Sequence, residues 1–122
     1  MHSSRFQILV NQALKEVSEI SIADLHRATQ EKESFILIDV REDHEWAMGY
    51  IPQAIHLSKG IIERDIERTV PDLDTPLVLY CGGGYRSALS GKSLQDMGYT
   101  QVLSLQGGIK GWQTAGLRLD LP

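Results

Sequence analysis

The side chains best suited to covalent chemistry lie together in one short segment of the chain. The only cysteine of the sequence, Cys81, follows the apolar residues 77–80, and three glycines at 82–84 come directly after it. Arg86 follows two positions later. A cysteine thiolate is a strong nucleophile, and it is favoured where backbone N–H groups or a positive charge lie close to the sulfur. The segment therefore predicts a nucleophile with its own anion site.

The glycines and the arginine supply what such an anion site needs. Without side chains, residues 82–84 can take positive φ angles and bring their N–H groups towards one point, as an anion cradle requires. A helix predicted over residues 87–97 adds the unpaired N–H groups of its first turn. Arg86 adds a fixed charge with a planar fork of donors. Each feature alone is more often structural, and their contiguity is what indicates function.

Composition limits the classes of protein and partner. The 122 residues suit one domain, and 42% hydrophobic with 23% charged residues is ordinary for a globular chain. A net charge of −4 without a basic stripe argues against a nucleic-acid partner. A single cysteine excludes an internal disulfide and predicts a reducing compartment, the cytoplasm. It also excludes a cysteine-rich metal site, and we expect no metal or cofactor.

The first 18 residues predict an amphipathic helix that lies outside the main domain at 19–122. No apolar run here is long enough for a signal peptide or a membrane span, so no membrane partner is expected. Apolar residues recur at helical spacing in this segment: Phe6, Leu9, Val10, Ala13, Leu14 and Val17. We expect this face to cover the domain, and the alternative is a homodimer through the helix.

Strand-like and helix-like segments alternate along the rest of the chain. Predicted strands lie at 19–21, 34–40, 54–57, 77–81 and 102–105, and helices open at Ser21 and cover 60–70, 87–97 and 109–115. This alternation predicts an α/β fold, a parallel sheet with helices on both faces. Ligands of such sheets bind beyond the carboxyl ends of the strands, which is where Cys81 lies.

The loop from Cys81 to Arg86 resembles the active-site loop of the rhodanese-like sulfurtransferases. Three further segments resemble landmarks of that family in the family's order: IDVRE at 38–42, EWAMGYIPQAIHL at 45–57 and LQGGIKGW at 105–112. The resemblance covers about residues 20 to 117. It implies a three-layer fold with a central five-stranded parallel sheet, and a persulfide carried on Cys81. Tyr50 and Gln53 depart from the family pattern, and Gln53 puts a turn with positive φ in doubt.

The resemblance implies a sulfurtransferase whose partners are a small-molecule sulfur donor and a thiol acceptor. Cys81 would attack the outer sulfur of thiosulfate or a low-molecular-weight persulfide, and cyanide or a thiol would then take that sulfur from the cysteine. We predict Cys81 as the catalytic residue. The predicted substrate-binding residues are the rest of the loop: Gly82, Gly83, Gly84, Tyr85, Arg86 and Ser87.

Two other classes of protein are alternatives. Rhodanese-like phosphatases and arsenate reductases also use a thiolate, a backbone cradle and an arginine, but they carry one more residue between cysteine and arginine. Four residues separate Cys81 from Arg86 here, which favours sulfur transfer. Non-catalytic binding modules of this fold often lack the cysteine, and this chain has it.

The remaining landmarks have structural interpretations. Asp39 and Arg41 are expected to be scaffold residues, because sulfur transfer needs no proton transfer from them. His44 and His56 are expected to be ordinary surface or core histidines. Trp46 and Trp112 are expected to be core anchors. Tyr85 has two open interpretations, a lip residue at the substrate or a merely exposed ring.

Overall fold

A single five-stranded sheet organises the chain. In the computed structural model, which describes residues 2–122, all strand pairs are parallel and the strand order is β1-β5-β4-β2-β3. The strands are β1 (Ser18–Ile20), β2 (Ile36–Asp39), β3 (Ile55–His56), β4 (Leu77–Tyr80) and β5 (Val102–Leu105). The predicted five-stranded parallel sheet is confirmed, and β2, β3 and β4 are shorter than predicted.

Six helices surround this sheet. They are α1 (Ser4–Leu14), α2 (Ile22–Gln30), α3 (Asp43–Trp46), α4 (Ile62–Thr69), α5 (Tyr85–Asp96) and α6 (Gly108–Thr114). Buried residues of α4 and α5 join the core on one face of the sheet, and those of α2 and α6 join the core on the other. The three-layer α/β architecture is therefore confirmed. None of the helices within residues 2–122 is long and apolar enough to cross a membrane.

The central strand β4 explains the position of the thiol. Leu77 and Leu79 belong to the core on the α4 and α5 side, whereas Val78 and Tyr80 belong to the opposite core. A strand covered on both faces reads as a continuous apolar run, as this one does. Cys81 follows directly and continues the alternation, so its side chain joins the α4 and α5 side.

Helix α1 covers the domain by packing on α5. Ser3 caps its first turn, and Val10, Ala13 and the following Val17 are buried. A Cβ atom at Gly91 of α5 would lie 3.0 Å from Val17 Cγ1, so the glycine permits this close approach. Leu9, assigned to the covered face by its spacing, is 54% exposed, and that assignment is wrong. The homodimer through α1 stays a prediction.

The two tryptophans differ in role. Trp112 lies in the core and its Nε1–H donates to the carbonyl oxygen of Arg118 (2.8 Å), as expected of a core anchor. Trp46 is only half-buried and is stacked between the rings of Tyr50 (3.9 Å) and His56 (4.9 Å). Its prediction as a core anchor is wrong, because α3 lies beyond the strand ends rather than on a sheet face. Helix α3, with only four residues, was not predicted.

Asp39 and Arg41 form a buried ion pair that serves as scaffold. The Arg41 guanidinium donates to both carboxylate oxygens of Asp39 and, from Nη2, to the carbonyl oxygen of Gly49 (2.7 Å). The pair thus ties the end of β2 to the turn after α3. Nearby, Gln53 has φ 76°, so the turn that its identity put in doubt is formed.

Candidate active site

The Cys81 sulfur lies at the carboxyl end of β4, under the loop that leads into α5. The residue is 1% exposed and its thiol is free. Two backbone N–H groups donate to Sγ, that of Gly84 at 3.2 Å and that of Ser87 at 3.4 Å. Both belong to the start of α5, where N–H groups have no helical partner. The arrangement suits a thiolate, which can only accept hydrogen bonds.

Gly84 allows the loop to close over the sulfur. It has φ 102° and is the N-cap of α5. A Cβ atom here would lie 3.3 Å from the carbonyl oxygen of Leu105 and 3.4 Å from the nitrogen of Gly107. Both the positive φ and the close approach therefore favour glycine at this position.

The first turn of α6 holds the same loop through backbone hydrogen bonds. The N–H of Ile109 donates to the carbonyl oxygen of Cys81 (2.9 Å), and that of Lys110 donates to the carbonyl oxygen of Gly82 (3.1 Å). A Cβ atom at Gly108 would lie only 2.5 Å from each of these carbonyl oxygens. Gly107, the N-cap of α6, and Gly108, its first residue, thus let the first turn satisfy the loop carbonyls, which explains the LQGGIKGW landmark.

A chain of two buried hydroxyls leads away from the sulfur. Ser87 Oγ lies 3.5 Å from Cys81 Sγ and 2.8 Å from Ser104 Oγ. Both serines are fully buried. When the sulfur is a thiolate, Ser87 must donate to it and Ser104 must donate to Ser87, because sulfur then offers no proton. Ser104 was not among the predicted site residues, although a polar residue inside the apolar strand β5 was a visible signal.

Arg86 is engaged by a carboxylate. Its Nη1 and Nη2 atoms donate to Glu45 Oε1 (2.6 Å) and Oε2 (3.0 Å) of α3. Mainly through this hydrogen bonding, Arg86 lowers the pKa of Glu45 from its ordinary 4.5 to about 2. The same contact raises the pKa of Arg86. Binding of an anionic donor by Arg86 stays a prediction.

A cavity of about 260 Å³ opens above the sulfur. It is lined by His2, Phe6, Glu45, Cys81, Gly82, Gly83, Tyr85, Arg86 and Lys110. Tyr85 is half-buried at its lip, in contact with the aromatic rings of the N-terminal segment. A larger groove of about 620 Å³ lies at the opposite, amino ends of the strands, and neither a cysteine nor a histidine lines it. Of the two spaces, the smaller cavity is the one lined by the predicted nucleophile.

Residues 21–115 match the family model of the rhodanese-like domain, which is most of the chain. The chain belongs to the rhodanese-like family. Helix α1 and the residues before it lie outside the matched region. The resemblance inferred from the loop and the three landmarks is thereby confirmed.

Several solved structures share this rhodanese-like fold. A polysulfide-sulfur transferase homodimer from Wolinella succinogenes is 30% identical, with TM-score 0.80 over 98% of this chain and 89% of that one. A thiosulfate sulfurtransferase from Pseudomonas aeruginosa is 30% identical, with TM-score 0.78 over 86% of this chain and 20% of that one. A protein of unknown function from Rhodopseudomonas palustris, named a possible tyrosine phosphatase, is 26% identical, with TM-score 0.89 over 98% of both chains. At the level of the family, the family model and the first two of these relatives support a sulfurtransferase-type enzyme.

The structure divides the predicted site residues into two groups. Five of them line the cavity: Cys81, Gly82, Gly83, Tyr85 and Arg86. The other two, Gly84 and Ser87, donate to the sulfur from behind it. Sequence reasoning missed four residues of the cavity wall: His2, Phe6, Glu45 and Lys110. Glu45 begins the family landmark at 45–57, but no local pattern connects it with the loop.

Proposed function

We propose that this rhodanese-like protein transfers sulfane sulfur through a persulfide on Cys81. The Cys81 thiolate attacks the outer sulfur of the donor, the sulfur–sulfur bond of the donor breaks, and the remainder leaves with the bonding electrons. Thiosulfate would release sulfite, and a persulfide would release a thiolate. An acceptor, cyanide or a thiol, then attacks the outer sulfur of the Cys81 persulfide and restores the thiolate. Such a double displacement has ping-pong kinetics.

The observation that carries this proposal is the set of donors around Cys81 Sγ. The N–H groups of Gly84 and Ser87 and the hydroxyl of Ser87 all lie within 3.5 Å of the sulfur. They would stabilise the attacking thiolate in the first step and the leaving thiolate in the second. The open space lies on the other side of the sulfur, where the transferred atom would be held beside Gly82 and Gly83.

The proposed sulfur donors follow from the family and from two of its members. One relative is a thiosulfate sulfurtransferase and the other a polysulfide-sulfur transferase. We therefore propose thiosulfate, polysulfide or a low-molecular-weight persulfide as donor, and a thiol as the cellular acceptor. A reducing compartment such as the cytoplasm suits the single free thiol.

Phosphate-ester hydrolysis is the second candidate, because the Rhodopseudomonas palustris relative is named a possible tyrosine phosphatase. Two features weigh against it here. Only four residues separate Cys81 from Arg86, and the Arg86 fork is already occupied by Glu45. A phosphoryl group needs charged donors on its terminal oxygens, as in other phosphoryl-transfer sites. A purely binding role is less favoured still, since the sulfur is held by three donors.

Intact-mass measurement tests the proposed function. After incubation with thiosulfate, polysulfide or a persulfide, the protein should become one sulfur atom heavier, and cyanide should remove that atom as thiocyanate. Cys81→Ser should never gain the sulfur. Hydrolysis of para-nitrophenyl phosphate by the same samples is the test of the second candidate. Robust hydrolysis without sulfur loading would replace the proposed function with the second one.

A further inference from the structure

We propose that the N-terminal segment selects the sulfur donor. His2 and Phe6 supply an aromatic wall that favours an organic persulfide, a sulfane sulfur carried on a small organic thiol, over thiosulfate. This inference rests on the proposed sulfur transfer and adds the class of donor.

The wall consists of three rings in mutual contact. The ring centroid of His2 lies 4.3 Å from that of Tyr85 and 5.1 Å from that of Phe6, and Phe6 and Tyr85 are 6.1 Å apart. All three side chains line the same cavity as Cys81. Phe6 is held there because α1 packs along α5 through Val10 and Ala13. An aromatic surface thus borders the space that the donor must enter.

This wall belongs to the N-terminal segment of the chain, which precedes the matched domain. The rhodanese-like domain is matched over residues 21–115, whereas His2 and Phe6 precede that region. The core of the domain therefore supplies the nucleophile and the cradle, and the N-terminal segment completes the cavity from outside. Selection of the donor is a function that such an added wall can perform without altering the reaction at Cys81.

Within the described part of the chain, the charges around the cavity leave a small dianion with only one unpaired cation. Of the two Lys and Arg side chains that line it, Arg86 is neutralised by Glu45. Lys110 is the other, and within residues 2–122 it has no carboxylate within 4.0 Å. Moving a strongly hydrated dianion against aromatic rings is costly unless its charges are paired. An organic persulfide instead presents carbon atoms to the rings, and a carboxylate on its body would suit Lys110.

The reaction with this donor is balanced. The Cys81 thiolate attacks the terminal sulfur of RS–SH, the bond between the two donor sulfurs breaks, and Cys81 becomes Cys–S–SH. The thiolate RS⁻ leaves with the electron pair and takes a proton from solvent. No oxidant or reductant is required.

Donor competition in matched variants tests the inference. Loading rates of Cys81 are measured by intact mass with glutathione persulfide and with thiosulfate, for the wild type, Phe6→Ala and Leu9→Ala. Leu9 is the control, since it lies on the same helix but is exposed and away from the cavity. Loss of one aromatic contact should lower kcat/KM for glutathione persulfide about two- to tenfold in Phe6→Ala. In the same variant, kcat/KM for thiosulfate should change less than about twofold. Leu9→Ala should change neither rate.

A second pair of variants keeps the test decisive if Phe6→Ala loosens α1. Phe6→Leu preserves an apolar side chain against α5 but removes the ring, and His2→Ala removes a ring that is exposed. Both should lower the persulfide rate selectively. Equal losses with both donors, or no change with either, would overturn the inference while leaving the proposed function intact. A wild type that loads sulfur from no donor would overturn both.

Discussion

Arg86 and Glu45 form a two-pronged ion pair at the mouth of the sulfur cavity, with oxygen–nitrogen distances of 2.6 and 3.0 Å. The pair joins the start of α5 to α3, and its two residues are 41 positions apart in the chain. It places the guanidinium against the loop, since a Cβ atom at Gly82 would lie 3.2 Å from Arg86 Nη2. The Arg86 guanidinium, which the sequence predicted to bind the substrate, is thus paired with the Glu45 carboxylate.

Removing the charge of Glu45 should make Arg86 available to an anionic donor. Glu45→Gln keeps the shape and one hydrogen-bond acceptor but leaves the guanidinium uncompensated. We expect kcat/KM for thiosulfate to rise about ten- to a hundredfold, because a hydrogen bond to a charged group contributes about 1.5–3 kcal/mol. Thiosulfate-dependent thiocyanate formation measures this, and Arg86→Ala in the Glu45→Gln background should cancel the gain. A gain that survives Arg86→Ala would show that the arginine does not meet the donor.

The same carboxylate should make stability depend on pH in acid. Because the folded-state pKa of Glu45 is lowered from 4.5 to about 2, its contribution is fully present above about pH 4.5 and is lost as pH falls towards 2. Wild type should therefore exceed Glu45→Gln in free energy of unfolding at about pH 6, and the difference should shrink at about pH 3. Urea unfolding at both pH values measures it. A pH-independent difference would contradict an ionised Glu45 in the pair.

The buried hydroxyl chain should influence the reactivity of the thiol. In Ser104→Ala the Ser87 hydroxyl loses its donor at 2.8 Å, so its own bond to Cys81 should weaken. We expect alkylation of Cys81 by iodoacetamide at neutral pH to slow about two- to tenfold, and Ser104→Thr to restore most of the rate. Ser90→Ala is the matched control, because Ser90 Oγ on α5 is buried and has no hydrogen-bond partner among residues 2–122. Equal slowing by Ser90→Ala would assign the effect to packing instead.

Gly108 should be essential to the support of the loop by α6. Alanine there would place its Cβ atom 2.5 Å from the carbonyl oxygens of Cys81 and Gly82, at φ 57°. Gly108→Ala should lower the free energy of unfolding by more than about 2 kcal/mol and slow sulfur loading. Gly116→Ala is the control, since Gly116 has φ 80° but nothing within 4 Å of its Cβ position. That variant should lose only about 1 kcal/mol, the cost of the left-handed backbone. Similar losses of stability in the two variants would show that the positive φ, and not the close approach of the carbonyl oxygens, determines the cost of alanine.

Features that depend on neighbours along the chain could be predicted from the amino-acid sequence. The continuous apolar run of β4, the glycines after Cys81 and the start of α5 all lie within residues 77–87, so the nucleophile and its backbone cradle were predictable. The alternation of strands with helices was sufficient for the parallel three-layer fold, because parallel strands need crossover helices. The landmark at 105–112 was recognised, although its support of the loop was not.

Contacts between distant side chains could not be predicted in this way. Three such contacts form only when the layers of the domain pack together. They are Glu45 with Arg86, Ser104 with Ser87, and Phe6 with Tyr85. Periodicity along the sequence shows which face of an element is buried, but not which residue of another element lies opposite. For the same reason Trp46 looked like a core residue and Leu9 like a covered one. Contacts between segments far apart in the chain follow from the packing of the whole domain, and no local pattern records them.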